Sequence, residues 1–250
     1  MGWISSTSGK RRLIHSLMKM NAGVLIGASL FLSHPAEACN TGCKAPELII
    51  EPGRRAGPIT KDTSEAQLKA SLRPGEVVRL MVHIEEDVYQ CGSAIFPGSL
   101  EMAFITWGSM DKVYRGMTQE DVKECLGMPN PTGPQNVIIQ RDFRKEPNQP
   151  TAWRSTKGIR LGMDLKGLEA AAGKPFEFSV CPCDAAGFVF GMPRQDIFKG
   201  LDLWLDIPDS LEHVEKNIKA VEDYALSSSN VPPDLARKIR LRKIVVHLND

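Results

Sequence analysis

The stretch GIRLGMDLKGLEAAAGKPFEFSV, residues 158–180, carries the pattern that decides the fold. Asp164 belongs to the residue types that cap helix N-termini. Leu165, Leu168 and Ala172 follow it at the spacing of one helical face. The Gly-Lys-Pro that comes next ends a helix, and FEFSV alternates as a strand does. The stretch therefore predicts a short amphipathic helix that turns directly into an extended segment.

The same order of cap, helix, glycine or proline, and extended run occurs twice more. In residues 63–84, Ser64 and Gln67 form a capping-box pair ahead of a helix that a Pro-Gly pair ends. In residues 116–131, Thr118 caps a helix that ends at a glycine. The predicted inward-facing residues of these two helices are Leu68, Leu72, Val122, Cys125 and Leu126.

Further strands are predicted from β-branched and aromatic runs separated by turn residues, which favour antiparallel pairing. We therefore predict an α+β fold, with short helices packed on one face of an antiparallel sheet. The repeated units are also compatible with two related halves, 58–157 and 158–250. The predicted strands are 76–84, 100–107, 136–143, 200–207 and 239–248, and one longer amphipathic helix is predicted at 209–224.

Residues 1–38 have the order of a secretory signal. Basic residues precede the apolar run AGVLIGASLFL, which is too short to span a bilayer, and Ala36-Glu37-Ala38 has the small-x-small form of a cleavage site. We expect an exported protein, periplasmic or extracellular, whose mature chain starts with a Cys-containing segment, 39–57. A lipid anchor on Cys39 is disfavoured, because Glu37 stands where lipoprotein signals have small or apolar residues.

The charge balance gives no reason to expect a nucleic-acid partner. The whole chain has a formal net charge of +1, and its one basic cluster, ARKIRLRK at 236–243, leads into the alternating IVVHL. That cluster is therefore predicted to be the solvent face of a strand. No apolar stretch after the signal reaches transmembrane length.

All six cysteines lie after the predicted signal, and an even number in an oxidising compartment favours disulfides. Two closely spaced pairs stand out, CNTGC and CPC, and we expect the N-terminal segment to be joined to the region of the second pair. The candidates for disulfides are Cys39, Cys43, Cys91, Cys125, Cys181 and Cys183.

The same closely spaced cysteines leave two alternatives open. Four thiolates from Cys39, Cys43, Cys181 and Cys183 could hold zinc or copper(I), although structural zinc sites more often use two-residue spacings. They could also form a redox-active dithiol, although neither pair has the Cys-x-x-Cys form. The leading expectation is no metal and no cofactor.

The sequence shows no catalytic constellation. The chain lacks a Gly-x-Ser-x-Gly elbow, a phosphate-binding loop and a dinucleotide fingerprint. The acidic pairs Glu85-Glu86 and Asp202/Asp206 are interpreted as a solvated strand end and as the polar face of a half-buried strand. Isolated histidines and tryptophans are interpreted as structural or exposed, and we do not predict an enzyme. These residues are His83, His213, His247, Trp107, Trp153 and Trp204.

Four stretches of the chain resemble a group of exported bacterial proteins of unknown function. They are GPITKDTSEAQL, IFPGSLEMAFITW, WRSTKGIRLGMDLKGLEAAAGKPFEF and LRKIVVHL. The helix, Gly-x-Pro and strand repeat is similar to that of outer-membrane assembly lipoproteins of the SmpA/OmlA type and of secreted β-lactamase-inhibitor proteins. The resemblance implies a module that binds another envelope protein through a sheet face and loops. An inhibitor of a secreted hydrolase is the alternative that it suggests.

Overall fold

The computed structural model describes residues 46–141, 151–181, 185–190, 198–208 and 224–249, which belong to one compact unit. This part of the chain is strand-rich with short helices, which confirms the predicted α+β class. The strands are β1 Ile49–Glu51, β2 Arg55–Ala56, β3 Ile59–Thr60, β4 Val77–Glu85, β5 Val88–Ile95, β6 Ala103–Trp107, β7 Val113–Arg115, β8 Pro134–Gln140, β9 Arg154–Ser155, β10 Glu177–Ser179, β11 Val189–Phe190, β12 Leu201–Asp206, β13 Ala225–Ser227 and β14 Arg240–His247. The helices are α1 Glu65–Ser71, α2 Gln119–Gly127, α3 Leu165–Ala172 and α4 Pro233–Ala236.

Helices α1 and α3 begin where their caps predict. At α1 the Gln67 N–H donates to Ser64 Oγ at 3.2 Å, and the Ser64 N–H donates to Gln67 Oε1 at 2.7 Å. At α3 the Gly167 N–H donates to Asp164 Oδ1 at 2.8 Å. Gly173 ends α3 with a φ of 72°, a left-handed conformation in which glycine carries no steric penalty.

Helix α2 also begins at its predicted cap, but one of its predicted inward residues is wrong. Thr118 accepts from the Asp121 N–H at 3.2 Å, and Cys125 is fully buried. Leu126, predicted to face inward, is 56% exposed. The Cys91–Cys125 disulfide, which joins α2 to β5, fixes the inward face at Cys125. Leu126, the next residue, is rotated about 100° away from Cys125 by the helical period.

Among the described residues, the main sheet has seven strands in the order β12-β14-β8-β6-β5-β4, and β7 pairs with β5 beside β6. All of its neighbouring strands are antiparallel. The five predicted strands correspond to β4, β6, β8, β12 and β14. Strand β5 was not predicted, because six consecutive residues, 90–95, are buried and the sequence therefore lacks the alternation of a half-exposed strand.

Two small sheets complete the described fold. One has the order β3-β2-β1-β9, in which β1 and β9 are parallel, and the other is β11-β10-β13. The main sheet takes strands from both predicted units, since β4 to β8 precede residue 158 and β12 and β14 follow it. The two units thus share one sheet, and the boundary between them stays a prediction.

The four helices of the described residues pack against the same face of the main sheet, as predicted. Each contributes buried side chains to a single core that includes Ile105, Ile139 and Ile244 from the sheet. Trp107 and Trp153 are fully buried in this core. The helical contributors are Leu68, Cys125, Leu165, Leu168, Ala172, Leu235 and Ala236.

Within the described ranges, no helix combines the length and the hydropathy needed to cross a bilayer. The predicted signal at 1–38 and nearly all of the predicted helix at 209–224 fall outside those ranges.

Candidate functional site

The face of the main sheet opposite the helices carries an apolar cluster of its own. Val82 of β4, Ile138 of β8 and Val245 of β14 pack together in one buried cluster on this face. In a flat sheet β4 and β8, three strands apart in the order, would be separated by about 14 Å, because neighbouring strands lie ~4.8 Å apart. That these strands share one buried cluster indicates that the sheet curls toward this side, which we call the concave face.

Gly92, in the middle of β5, permits this curvature. Its register partners are Leu80 on β4 and Thr106 on β6. A Cβ at this position would lie 2.4 Å from the Ile105 carbonyl oxygen and 2.6 Å from Val82 Cγ2. Only glycine fits where neighbouring strands approach this closely, and a glycine within a strand often marks such a bend.

A row of polar side chains crosses four strands of the concave face. Asn136 Nδ2 donates to Thr106 Oγ1 at 3.2 Å. The two ring nitrogens of His247 lie 2.7 Å from Asn136 Oδ1 and 2.8 Å from Asp202 Oδ2. Thr106 is fully buried, whereas the side chains of His247 and Asp202 are 28% and 40% exposed. The row therefore extends from the buried Thr106 on β6 to the more exposed β12 edge of the face.

The ring of His247 lies between oxygen atoms of two neighbouring strands. With the Asn136 amide in this orientation, both ring nitrogens face oxygen acceptors, and only a protonated imidazolium can donate to both. In a hydrolase triad the nitrogen opposite the carboxylate faces a nucleophile. Here that nitrogen faces the amide oxygen of Asn136, so the ring is held in a fixed orientation between two neighbouring strands.

Aromatic side chains and a lysine lie beside this row. The rings of Phe188 and Trp204 are 5.0 Å apart, and Lys243 Nζ lies 4.3 Å from the centre of the Trp204 ring. Burial lowers the pKa of Lys243, and the charge of Arg242 adds to this, while two nearby carboxylates oppose it. A cation over the face of an indole is a stabilising arrangement. Together with the partly buried Leu80, Ile84 and Phe104, these groups make the concave face amphipathic.

A second polar cluster lies on the helix side of the sheet and is buried. The carboxylate of Glu65, 1% exposed, accepts from Arg79 Nη2 at 2.5 Å, from Lys69 Nζ at 3.1 Å and from Ser93 Oγ at 2.9 Å. Trp107 Nε1 in turn donates to Ser93 Oγ at 3.0 Å. These bonds join α1 to three strands of the sheet.

The Glu65 cluster is structural in character. Burial by itself raises the pKa of Glu65, but hydrogen bonds from Arg79, Lys69 and Ser93 outweigh it, so the pKa lies below its usual value. Arg79 Nη1 also donates to the Met128 carbonyl at the end of α2. A buried ionised carboxylate with this many donors fixes the position of its helix and offers no face to a ligand.

The predicted acidic residues are placed as interpreted. Asp202 and Asp206 alternate with buried leucines along β12, and Glu85 and Glu86 are exposed at the β4–β5 turn. Of these four carboxylates, Asp202 is the one that joins the polar row.

The tryptophans and histidines divide between core and surface. Trp107 and Trp153 are core residues, whereas Trp204 is partly exposed on the concave face. His83 is exposed, and its ring lies 5.0 Å from that of Tyr89. His213 falls outside the described residues.

The cysteines that the structure describes are disulfide-bonded. Cys91 and Cys125 bond to each other, and Cys181 is also disulfide-bonded. Within those ranges, no group of three or more His, Cys, Asp or Glu side chains is arranged to hold a metal. Of the alternative thiolate set, Cys39, Cys43 and Cys183 lie outside the described residues, so a link between the N-terminal segment and Cys181 stays a prediction.

Sequence reasoning missed the polar row and the Glu65 cluster. A signal for the row existed in the alternation of β12 and β14, which places Asp202 and His247 on the polar face of adjacent strands, but the strand order was needed to use it. No family model matches this chain, and comparisons with characterised proteins and with solved structures found no match.

Proposed function

We propose that this chain is an exported, disulfide-stabilised binding module of the cell envelope, with the concave face as its contact surface. The observation that carries the proposal is the composition of that face, where partly exposed aromatic rings lie beside an oriented histidine, a carboxylate and a lysine. Aromatic and apolar contact area combined with a few fixed polar groups is typical of recognition surfaces.

Export is supported by the order of residues 1–38 and by the buried Cys91–Cys125 disulfide. Cytosolic thiols are kept reduced, so a structural disulfide of this kind belongs to an oxidising compartment. We expect the protein isolated from the envelope fraction of its host to have the mass of a chain that begins at Cys39 and has all six cysteines oxidised. An unprocessed, reduced chain in the cytosol would contradict the proposal.

Binding can be tested by photo-cross-linking in the host. Benzoylphenylalanine in place of Phe104 or Phe188 sets a reactive group on the concave face with little change of shape. Tyr224, an aromatic residue that is 56% exposed elsewhere, is the matched control position. We expect a discrete adduct with one envelope protein from both concave-face positions and none from residue 224. Identical labelling at all three positions, or none, would refute the assignment of this face.

A further inference from the structure

Strand β4 forms one edge of the main sheet and is long for an edge strand. It spans nine residues, Val77–Glu85, and pairs on one side with β5. The opposite edge of the sheet, β12, is extended by Phe188, which forms a bridge with Trp204. No such cover exists for β4 among the described residues.

The pairing with β5 determines which backbone groups of β4 face outward. The Phe96 N–H donates to the Glu76 carbonyl at 2.8 Å, one position beyond the Val77–Ile95 register pair, so Val77 and Ile95 form a non-hydrogen-bonded pair. Hydrogen-bonded and non-bonded pairs alternate along an antiparallel ladder. The N–H and C=O groups of every second residue therefore point away from β5, and within the described ranges none of them has a backbone partner. These residues are Val77, Arg79, Met81 and His83.

Strand β4 also has few of the features that usually protect an edge. Natural edge strands carry lysine, proline or inward-pointing charges, or are very short. From Val77 to His83 there is neither lysine nor proline, and the one irregularity comes after His83. The inward-pointing charge in this stretch, Arg79, is neutralised by its ion pair with the buried Glu65. Val78, on the concave side, is 41% exposed.

We propose that this chain forms a two-fold symmetric dimer, in which β4 pairs antiparallel with β4 of a second copy in the register centred on Leu80. In this register Val77 lies opposite His83 and Arg79 opposite Met81, so every outward-facing backbone group of both strands gains a partner. A shift of the centre to Met81 leaves some of these groups unpaired. The dimer goes beyond the proposed function and does not depend on it.

The side chains favour a second copy as the occupant of this edge. An added strand must present apolar residues at alternate positions to match the concave side of β4. Strand β4 itself meets this requirement, because its residues on that side are all apolar. In the proposed register Leu80 lies opposite Leu80, and Val78 opposite Val82. The residues of this stripe are Val78, Leu80, Val82 and Ile84.

The first test is sedimentation velocity of the purified, oxidised mature protein over a range of concentrations. We expect a monomer–dimer equilibrium that Val78→Lys weakens roughly tenfold or more, since the lysine would be desolvated against Val82 of the second copy. Val113→Lys is the matched control, because Val113 is a 56% exposed strand residue on β7, away from this edge. It should leave the equilibrium unchanged.

The second test does not depend on the stability of a charged variant. Directly opposed residues in a non-hydrogen-bonded antiparallel pair have Cα atoms about 4.5 Å apart, a separation that a disulfide can bridge. Leu80→Cys should therefore form a covalent dimer on mild oxidation. Val78→Cys should not, because two copies of residue 78 would lie about 13 Å apart at ~3.3 Å per residue.

A monomer at all concentrations would overturn the proposal. So would a dimer that Val78→Lys leaves intact, or one that cross-links through residue 78 and not through residue 80. These experiments use purified protein alone, so their failure is distinguishable from failure of the proposed envelope partner.

Discussion

Replacing Glu65 by glutamine should be among the most damaging conservative changes in this protein. The carboxylate is 1% exposed and pairs with Arg79, whose side chain is 11% exposed. In Glu65→Gln the guanidinium stays in place without a counter-charge and faces an amide that supplies one acceptor instead of two. Breaking a buried ion pair by removing one partner costs about 3–5 kcal/mol. We expect a loss of about 3 kcal/mol, at the lower end because Arg79 keeps some contact with water.

The measurement is urea unfolding at neutral pH, followed by tryptophan fluorescence and extrapolated to water. The double variant Glu65→Gln with Arg79→Met removes the unpaired cation, so it should be more stable than Glu65→Gln alone. Glu124→Gln is the matched control, because Glu124 pairs with Lys112 at 2.6 Å on the surface. It should leave the unfolding midpoint unchanged.

Two results would refute this reasoning. One is a Glu65→Gln variant as stable as the Glu124→Gln control, which would mean that the buried pair contributes no net stability. The other is a double variant as unstable as the sum of its single changes, which would show that Glu65 and Arg79 are not energetically coupled.

Three further predictions concern Glu65, Gly92 and the Cys91–Cys125 disulfide. Because the pKa of Glu65 in the fold lies below its ordinary value of 4.5, its stabilisation is present above that pH and is lost as the pH falls through the folded-state pKa. The difference between the wild type and Glu65→Gln in urea titrations should therefore shrink in acid, and a constant difference would contradict this. Gly92→Ala should lower the free energy of unfolding by about 1–3 kcal/mol through overlap with the Ile105 carbonyl, whereas Gly127→Ala, which meets no atom within 4 Å, should not. Removing the Cys91–Cys125 disulfide by a double change to alanine should cost about 4 kcal/mol, the chain-entropy value for a separation of 34 residues, in the same assay without reductant.

The elements that the sequence predicted well are those determined by neighbouring residues. Helix α3 is an example, since the Asp164 cap, the apolar stripe and Gly173 all lie within ten residues. Strand β12 was equally clear, because its leucines alternate with polar residues. In both cases one face is buried and the other is not, so the spacing of the apolar residues directly indicates a helix or a strand.

The concave face could not be predicted because its contacts join distant parts of the chain. His247 and Asn136 are 111 residues apart, and His247 and Asp202 are 45 apart. Each residue alone has the pattern of an ordinary strand position. Glu65 is a similar case, since it looks like a solvated first-turn residue of a helix until Arg79 and Ser93 are placed beside it. Strand order and register, which the sequence leaves open, decide these contacts.

The position of β14 in the main sheet has a consequence for how the chain folds after synthesis. This strand lies between β12 and β8, and its register partners on β8, such as Gln140 for Lys243, precede it by about a hundred residues. Until β14 arrives, β8 exposes Val137, Ile138 and Ile139 along an open ladder. Pairing between strands that are distant in sequence is slow, and exposed apolar strand edges are prone to aggregation before the pairing is complete. The β8 edge is therefore open to misassembly until β14 pairs with it.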